Sequence, residues 1–349
     1  MSEQGVSGGE FGRFKAVRRK AVSVSQGGLV RRSYLEGAEG FPLVMEPAVE
    51  GVNLAGWAAG QREVIEEELL RHGAILFRGF RVGEVGGFEQ FARAVSPDLL
   101  DYRERAAPRK EVGSNVYTST EFPADQHIPM HHEMSYSHNW PTKLWFYCVK
   151  AAEQGGATPI ADDRKIIKRL DPKIKEIFMR KKVMYTRNYS ERLDIPWMDV
   201  FQTTDKAKVE EYCRSARTEF EWKDGNRLST RQVRQAIATH PVAGETVWFN
   251  HAHMFHVSNL QPAVRESLLA EFREDELPRN AYYGDGSPIE SSVLDEIRGT
   301  YQEAAVRFPW REGDILMVDN FLASHGRDPY VGPRSVVVAM AELYTNKDI

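Results

Sequence analysis

Residues 128–136 read Ile128-Pro129-Met130-His131-His132-Glu133-Met134-Ser135-Tyr136, or IPMHHEMSY. Two imidazoles and a carboxylate stand next to one another, and ligands of one metal ion must converge on one point. In an extended strand successive side chains alternate faces, so His131 and Glu133 share a face and His132 points away. One imidazole and one carboxylate make an incomplete site. A third donor must come from elsewhere in the chain. A plainer reading makes His131 and Glu133 a hydrogen-bonded pair within a sheet.

Outward from this stretch the pattern is mixed helix and strand. Residues 1–40 are rich in Gly, Ser, Arg and Lys, with few large apolar residues, and read as a mobile arm. FPLVMEPAVEGVNL (41–54) is strand-like, and GQREVIEEELLRHG (60–73) has helical spacing with Gly73 as its stop. AILFRGF (74–80) reads as a buried strand, GGFEQFARAV (86–95) as a short helix and LWFYCVKA (144–151) as an aromatic strand. GGATPIADDRKIIKRL (155–170) is a Gly-rich turn, a strand end and a helix entering at Asp162 or Asp163. From about 172 to 260 the pattern turns irregular, with helical pieces at KVEEYCRSAR (208–217) and RQVRQAIATH (231–240). This span reads as a helical insertion folding over the site. GETVWFNHAHMFH (244–256) is strand-like and then a loop, and the C-terminal stretch runs GDILMVDN, FLASHGRDPYVGPR, SVVVAMAEL as strand, loop, strand. No repeat or linker divides residues 41–349, which read as one α+β domain.

The chain has 349 residues, enough to bury a sizeable core, and a formal net charge of −4. That balance argues against nucleic-acid or anionic-membrane partners, which call for a basic patch. Cys148 and Cys213 are the only cysteines, too few for a disulfide framework or a thiolate zinc site. With no apolar leader and no membrane-length apolar run, a cytoplasmic location is expected.

SHGRDPY puts His325 just after the strand-like run Ile315–Asp319, where a strand-end loop presents a ligand well. His131, Glu133 and His325 would give two imidazoles and a carboxylate. Such a set on one face of a metal, with positions left open, suits non-haem Fe(II) rather than a closed structural zinc site.

Beyond this triad the sequence resembles the taurine-dioxygenase-like family of Fe(II)- and 2-oxoglutarate-dependent oxygenases. Within that family it is most similar to the syringomycin-type aspartyl or aminoacyl hydroxylase branch. The resemblance rests on blocks in order: GAILFRGF, IPMHHEMSYSHNWP, GGATPIAD, WFNHAHMFH, YYGDG, WREGDILMVDN and HGRDPYVGPR. It implies a double-stranded β-helix, or jelly roll, with flanking helices. It implies Fe(II), 2-oxoglutarate and O₂ as cofactor and cosubstrates, with His131, Glu133 and His325 as the metal ligands and catalytic centre. Thr158 in GGATP matches the threonine that touches 2-oxoglutarate, and Arg334 in GPRS is taken as its carboxylate anchor. A guanidinium grips a carboxylate through two parallel hydrogen bonds. Ser335 stands where several relatives carry a second arginine, and the spacing from His325 is short, so Arg327 is a rival anchor.

Glu133 bears on the reaction. Related halogenases lack this carboxylate, so its presence implies oxygen transfer or another oxidation. The implied reaction is hydroxylation of an unactivated C–H bond in an amino acid or a carrier-tethered aminoacyl or peptide intermediate of a natural product, with release of succinate and CO₂. Desaturation, cyclisation or epoxidation would use the same cofactors. Asn115, Tyr117, Trp248, Asn250 and Tyr283 lie in blocks that reach toward the substrate, though packing or turn-capping accounts for each equally well. A reading from another class takes His251, His253 and His256 in HAHMFH as a zinc centre, making the chain a zinc-dependent hydrolase. Homo-oligomerisation stays open. No Gly-x-Gly-x-x-Gly, Walker-type loop or Gly-x-Ser-x-Gly motif is present.

Overall fold

The computed structural model describes residues 28–101, 109–119, 122–190 and 195–347. Helices and sheets are mixed, as the pattern predicts. Residues 1–27 of the expected arm lie outside the described residues. Val30–Tyr34, within its expected span, is a strand paired antiparallel with Leu43–Pro47.

The largest sheet has eight strands in the order Val30–Tyr34, Leu43–Pro47, Ala74–Phe77, Ile315–Asp319, Asn139–Lys150, Ser335–Thr345, Val116–Thr118, Glu111–Gly113. Its centre is where the aromatic run LWFYCVK lies, with Met317 opposite Trp145 and Trp145 opposite Ala339. Alternate residues go to opposite faces, and both faces are covered. Trp145, Tyr147 and Met317 pack on one side against the helices Leu54–Ala59, Arg62–His72 and Val85–Val95. Leu144, Phe146 and Leu316 pack on the other. Burial of both faces explains why these strands read as near-continuous apolar runs rather than alternating ones.

Against the second face sits a three-stranded sheet in the order Ile128–His131, Ala323–Arg327, Ile160–Asp162. Ile160 and Ala323 share a buried cluster with Phe146, Val336 and Val338 of the large sheet. Gly326 lets its strand lie close to Ile128–His131, since a Cβ there would come within 2.7 Å of the Ile128 carbonyl oxygen. His325 is therefore on a strand with neighbours on both sides, not in a loop after one. ASHGR carries no β-branched or aromatic residue, so the pairing and not the propensity makes it a strand.

The span 172–260, expected as a helical insertion, holds both helices and strands, and three of its strands join Arg279–Tyr283 from beyond it. Glu219–Lys223, Arg227–Arg234, Val183–Tyr189 and Arg279–Tyr283 form a four-stranded antiparallel sheet. The helix Lys206–Ser215 appears as read, but RQVRQAIATH is strand through Arg234 and again over Ile237–Thr239. It is strand because both flanks of Arg227–Arg234 find partners. Among the described residues, no helix is long and apolar enough to cross a membrane.

Candidate metal centre

His131, Glu133 and His325 come together. Each offers a ligand atom, and the three atoms lie within 4.8 Å of one another. The imidazole centroids of His131 and His325 are 4.4 Å apart, and His325 Nε2 is 4.0 Å from a Glu133 carboxylate oxygen. Among the described residues this is the one such group of His, Cys, Asp and Glu. All three residues are buried or half-buried. Burial, the largest cause, lowers the proton affinity of both imidazoles, that of His325 well below its ordinary value. The rings are therefore neutral and their lone pairs available. His131 Nδ1–H donates to the Pro129 carbonyl at 2.8 Å, which leaves Nε2 as the donor toward a metal.

The strand carrying His131 ends there, and Glu133 follows in a turn. Face-sharing along a strand is thus not what brings the carboxylate to the imidazoles. Asn320 does it. Its side-chain oxygen accepts the Glu133 N–H at 2.8 Å, and its amide donates to the Glu133 carbonyl at 2.9 Å and to Pro141 at 2.8 Å. Met134, next along, takes a left-handed φ of 60° to turn the chain away. The Glu133 carboxylate also accepts from Arg109 at 2.9 Å, both groups being buried.

His132 points to the opposite side, fully buried, with Nε2 3.3 Å from Asp163. Asp163 also accepts from the Ser324 N–H at 2.7 Å and from Tyr301 Oη at 2.8 Å. One buried carboxylate thus ties the turn bearing Glu133 to the strand bearing His325. Sequence reasoning missed Asn320, Asp163 and Arg109. No local signal in the sequence marks them.

A cavity opens between the two sheets beside the triad. His131, Thr158, His325, Arg334, Arg327 and Arg109 line it. Arg334 is largely buried. Its Nε donates to the Gly156 carbonyl at 2.9 Å, and an Nη donates to Thr158 Oγ1 at 3.3 Å. Neither contact carries charge. Burial, with Arg327 nearby, lowers its proton affinity to about 10. Thr158 Oγ1 also accepts from Trp310 Nε1 at 3.0 Å. With two donors pointing at it, the hydroxyl has its own proton left to give to a ligand. A buried guanidinium and a poised hydroxyl in one cavity fit the far carboxylate of 2-oxoglutarate. Arg327 is placed differently. Its guanidinium donates to the carbonyls of Phe122, Pro123 and Gln126 at 2.9, 2.5 and 2.7 Å.

The HAHMFH imidazoles do not converge. His251 Nδ1 meets Ser135 Oγ at 2.6 Å, His253 Nε2–H donates to the Met130 carbonyl at 2.8 Å, and His256 Nδ1 meets Ser258 Oγ at 2.9 Å. The segment is a short helix, Ala252–Phe255, so the strand spacing behind a zinc cluster is absent. The residues singled out for substrate contact are placed elsewhere. Trp248 and Tyr283 are core residues packed on Phe178, and Tyr117 is buried in the large sheet. Asn250 accepts the N–H of Ala252, the first residue of the helix Ala252–Phe255, at 3.0 Å, and Asn115 sits in a turn bonded to Asp101.

Residues 39–340 match the family described as taurine catabolism dioxygenase TauD, TfdA. The dapdiamide synthesis protein DdaC of Enterobacter agglomerans is 41% identical over 278 residues, covering 80% of this chain and 84% of that one. A clavaminate synthase-like protein of Arabidopsis thaliana is 31% identical over 297 residues, with 81% and 85% covered. Among solved structures, PvcB from Pseudomonas aeruginosa superposes with a TM-score of 0.56 at 15% identity, covering 94% of each chain. AAD-2 in complex with Mn(II) and N-oxalylglycine gives 0.51 at 16% identity, with 92% and 99% covered. The structural likenesses show a shared fold.

Proposed function

The chain belongs to the TauD, TfdA dioxygenase family and is an Fe(II)- and 2-oxoglutarate-dependent dioxygenase, and from that premise we propose the residues and the reaction. Fe(II) is held by His131, Glu133 and His325. The observation that carries this is the convergence of the three ligand atoms within 4.8 Å at a buried site. Fe(II) held there with 2-oxoglutarate supplies the oxidising power of O₂, at the expense of the keto acid, which leaves as succinate and CO₂.

The chain's own residues do the rest. Arg334 and the Thr158 hydroxyl hold the far carboxylate of 2-oxoglutarate, with Trp310 fixing the hydroxyl. Arg327 braces the 122–126 segment over the same cavity rather than anchoring the cosubstrate. Asn320 and Asp163 hold the turn and strand that carry the ligands. Apolar neighbours such as Phe146 and Val338 keep bulk water from the cavity. The retained Glu133 supports oxygenation or a related oxidation over halogenation.

The substrate is an amino acid or an amino-acid-derived intermediate of a natural product, free or carrier-tethered, and the reaction is most simply hydroxylation of an unactivated C–H bond. Likeness to a dapdiamide synthesis protein supports this class. Residues 41–349 form one oxygenase domain of the double-stranded β-helix type. The large and small sheets are its two layers, and the span 172–260 is carried as an insertion.

The test is spectroscopic. Metal-free protein is mixed anaerobically with Fe(II) and then 2-oxoglutarate, and the weak visible charge-transfer band of the chelate is sought. It is expected in the native chain and absent in Glu133→Ala and His325→Ala. No band in the native chain, together with tight zinc binding, would overturn the reading.

A further inference from the structure

Asn320 fixes the backbone of Glu133, but its hydrogen bonds end there, and a glutamate side chain keeps several rotatable bonds between that backbone and its carboxylate. Arg109 holds the carboxylate itself. Its Nη2 donates to Glu133 Oε2 at 2.9 Å, and among the described residues no other hydrogen bond reaches that carboxylate. The two side chains are only 5% and 6% exposed. The oxygen that Arg109 holds is also the one 4.0 Å from His325 Nε2, so the grip falls on the side of the carboxylate that faces the triad.

Arg109 comes from the edge of the large sheet, just before the strand Glu111–Gly113. Lys110 beside it is tied twice to Thr118: its N–H donates to Thr118 Oγ1 at 2.9 Å, and its carbonyl accepts the Thr118 N–H at 2.8 Å. From this fixed base the side chain reaches the cavity that His131, His325, Thr158 and Arg334 also line. Stability of the fold is a poor reason for such a pair. A buried ion pair gains little over apolar residues of the same volume, and losing one partner strands a charge. Placement of the carboxylate is a better reason. A carboxylate binds a metal through one oxygen or through both. Two imidazoles and one carboxylate oxygen leave half of an octahedral shell open, which a keto acid chelating at two points and O₂ fill. A second oxygen from Glu133 closes one of those places. To offer it, the carboxylate must turn on its side chain and give up the bond to a buried guanidinium.

We propose that Arg109 is a positioning residue for the carboxylate ligand, holding Glu133 so that it presents a single oxygen to the metal and the places needed by 2-oxoglutarate and O₂ stay open. The inference rests on the metal-site reading above and assigns to one side chain the openness which that reading requires.

The test uses the full chain loaded with Mn(II), and water-proton relaxation counts the exchanging waters on the bound ion before and after 2-oxoglutarate is added. Native protein should hold roughly three waters and keep about one once the keto acid has chelated. In Arg109→Met the carboxylate is released to chelate. The relaxation of bound Mn(II) should then fall by about a third, the remaining water should be lost when 2-oxoglutarate binds, and 2-oxoglutarate should bind about tenfold weaker. Arg109→Gln, polar but shorter, should show the same losses and stands in where the methionine variant does not fold. Arg109→Lys, which keeps a charged donor, should restore part of the native water count. Native relaxation in the methionine or glutamine variant, even with a lower melting temperature, would overturn the proposal and leave Arg109 a support of the fold alone. So would native protein with no water left on Mn(II) beside 2-oxoglutarate, a result that needs no variant. Failure of native protein to bind Mn(II) or 2-oxoglutarate at all would sink the metal-site reading instead.

Discussion

Asn320→Ala tests whether the carboxylate ligand is placed by a side chain nearly two hundred residues away in sequence. Asn320 is fully buried and makes three hydrogen bonds, at 2.8, 2.9 and 2.8 Å, to both backbone polar groups of Glu133 and to the Pro141 carbonyl. Alanine removes all three and leaves one N–H and two carbonyls without water or a substitute partner. At about 1 kcal/mol for each bond, stability falls by about 3 kcal/mol. At about 2 °C per kcal/mol for a chain of this size, the melting temperature falls by roughly 6 °C. The second consequence is specific to the site. Glu133 loses the clamp that sets its backbone in the turn, and removal of such an outer support weakens metal binding about 10–100-fold. Asn320→Asp is close to isosteric and sharpens the test. It keeps an acceptor for the Glu133 N–H but turns a negative oxygen toward two carbonyl oxygens, so it should do no better than alanine. Scanning fluorimetry reads the stability, and anaerobic Mn(II) titration followed by electron paramagnetic resonance reads the metal affinity. Native Mn(II) affinity in an Asn320→Ala protein that melts 6 °C lower would show that Asn320 supports the fold alone.

Arg334→Ala should weaken 2-oxoglutarate binding by about 10–100-fold, with Fe(II) affinity kept, since one charge-assisted contact is lost. Arg327→Ala should lower the melting temperature instead, because three carbonyls lose their donor; the chelate band and scanning fluorimetry separate the two. Gly156 has a φ of +70°, and a Cβ there would lie 3.0 Å from Arg334 Cδ, so Gly156→Ala should cost about 1–2 kcal/mol and weaken 2-oxoglutarate binding. Burial lowers the His253 imidazole from 6.5 to about 3. A histidine so depressed stays neutral when folded while the unfolded chain takes up the proton, so stability is lost as pH falls from 6.5 toward 3 and is unaffected above. Between pH 6.5 and 5 that amounts to about 2 kcal/mol, and His253→Gln, which keeps a donor for the Met130 carbonyl, should flatten the acid limb of the melting curve by that amount.

The sequence shows the triad more readily than it shows why the triad forms. His131 and Glu133 are close along the chain, and their chemistry narrows the possibilities at once. The strand argument joins them for a reason the structure replaces, because the strand stops at His131 and a turn delivers Glu133. The anchors behind the ligands leave no local mark. Asn320 reaches Glu133, Asp163 reaches Ser324, and Trp310 reaches Thr158 across long stretches of chain, and nothing in MVDN, ADDR or FPWRE announces a partner. The central strands were legible because burial on both faces makes them continuously apolar. RQVRQ was not, because polar side chains on both faces erase the alternation that marks a strand. Its Arg234 is fully buried and bonded through its guanidinium to the Ala216, Arg217 and Val233 carbonyls and to the side chains of Thr218 and Gln232.

The separation of the two sheets has a physical consequence for how such a site is tuned. The ligands stand on elements fixed by buried polar bonds to the large sheet and its neighbours, where a lost partner costs whole hydrogen bonds. The four-stranded sheet has its own buried anchor in Arg234, two residues beyond Gln232 on the same face. His251 is where the two meet, bonded on one side to Ser135 in the turn after Glu133 and on the other, through its N–H, to Tyr185 of the second sheet. A change at His251 should therefore loosen both the turn after Glu133 and its junction with the second sheet, lowering metal affinity and melting temperature together, which Mn(II) titration and scanning fluorimetry would read.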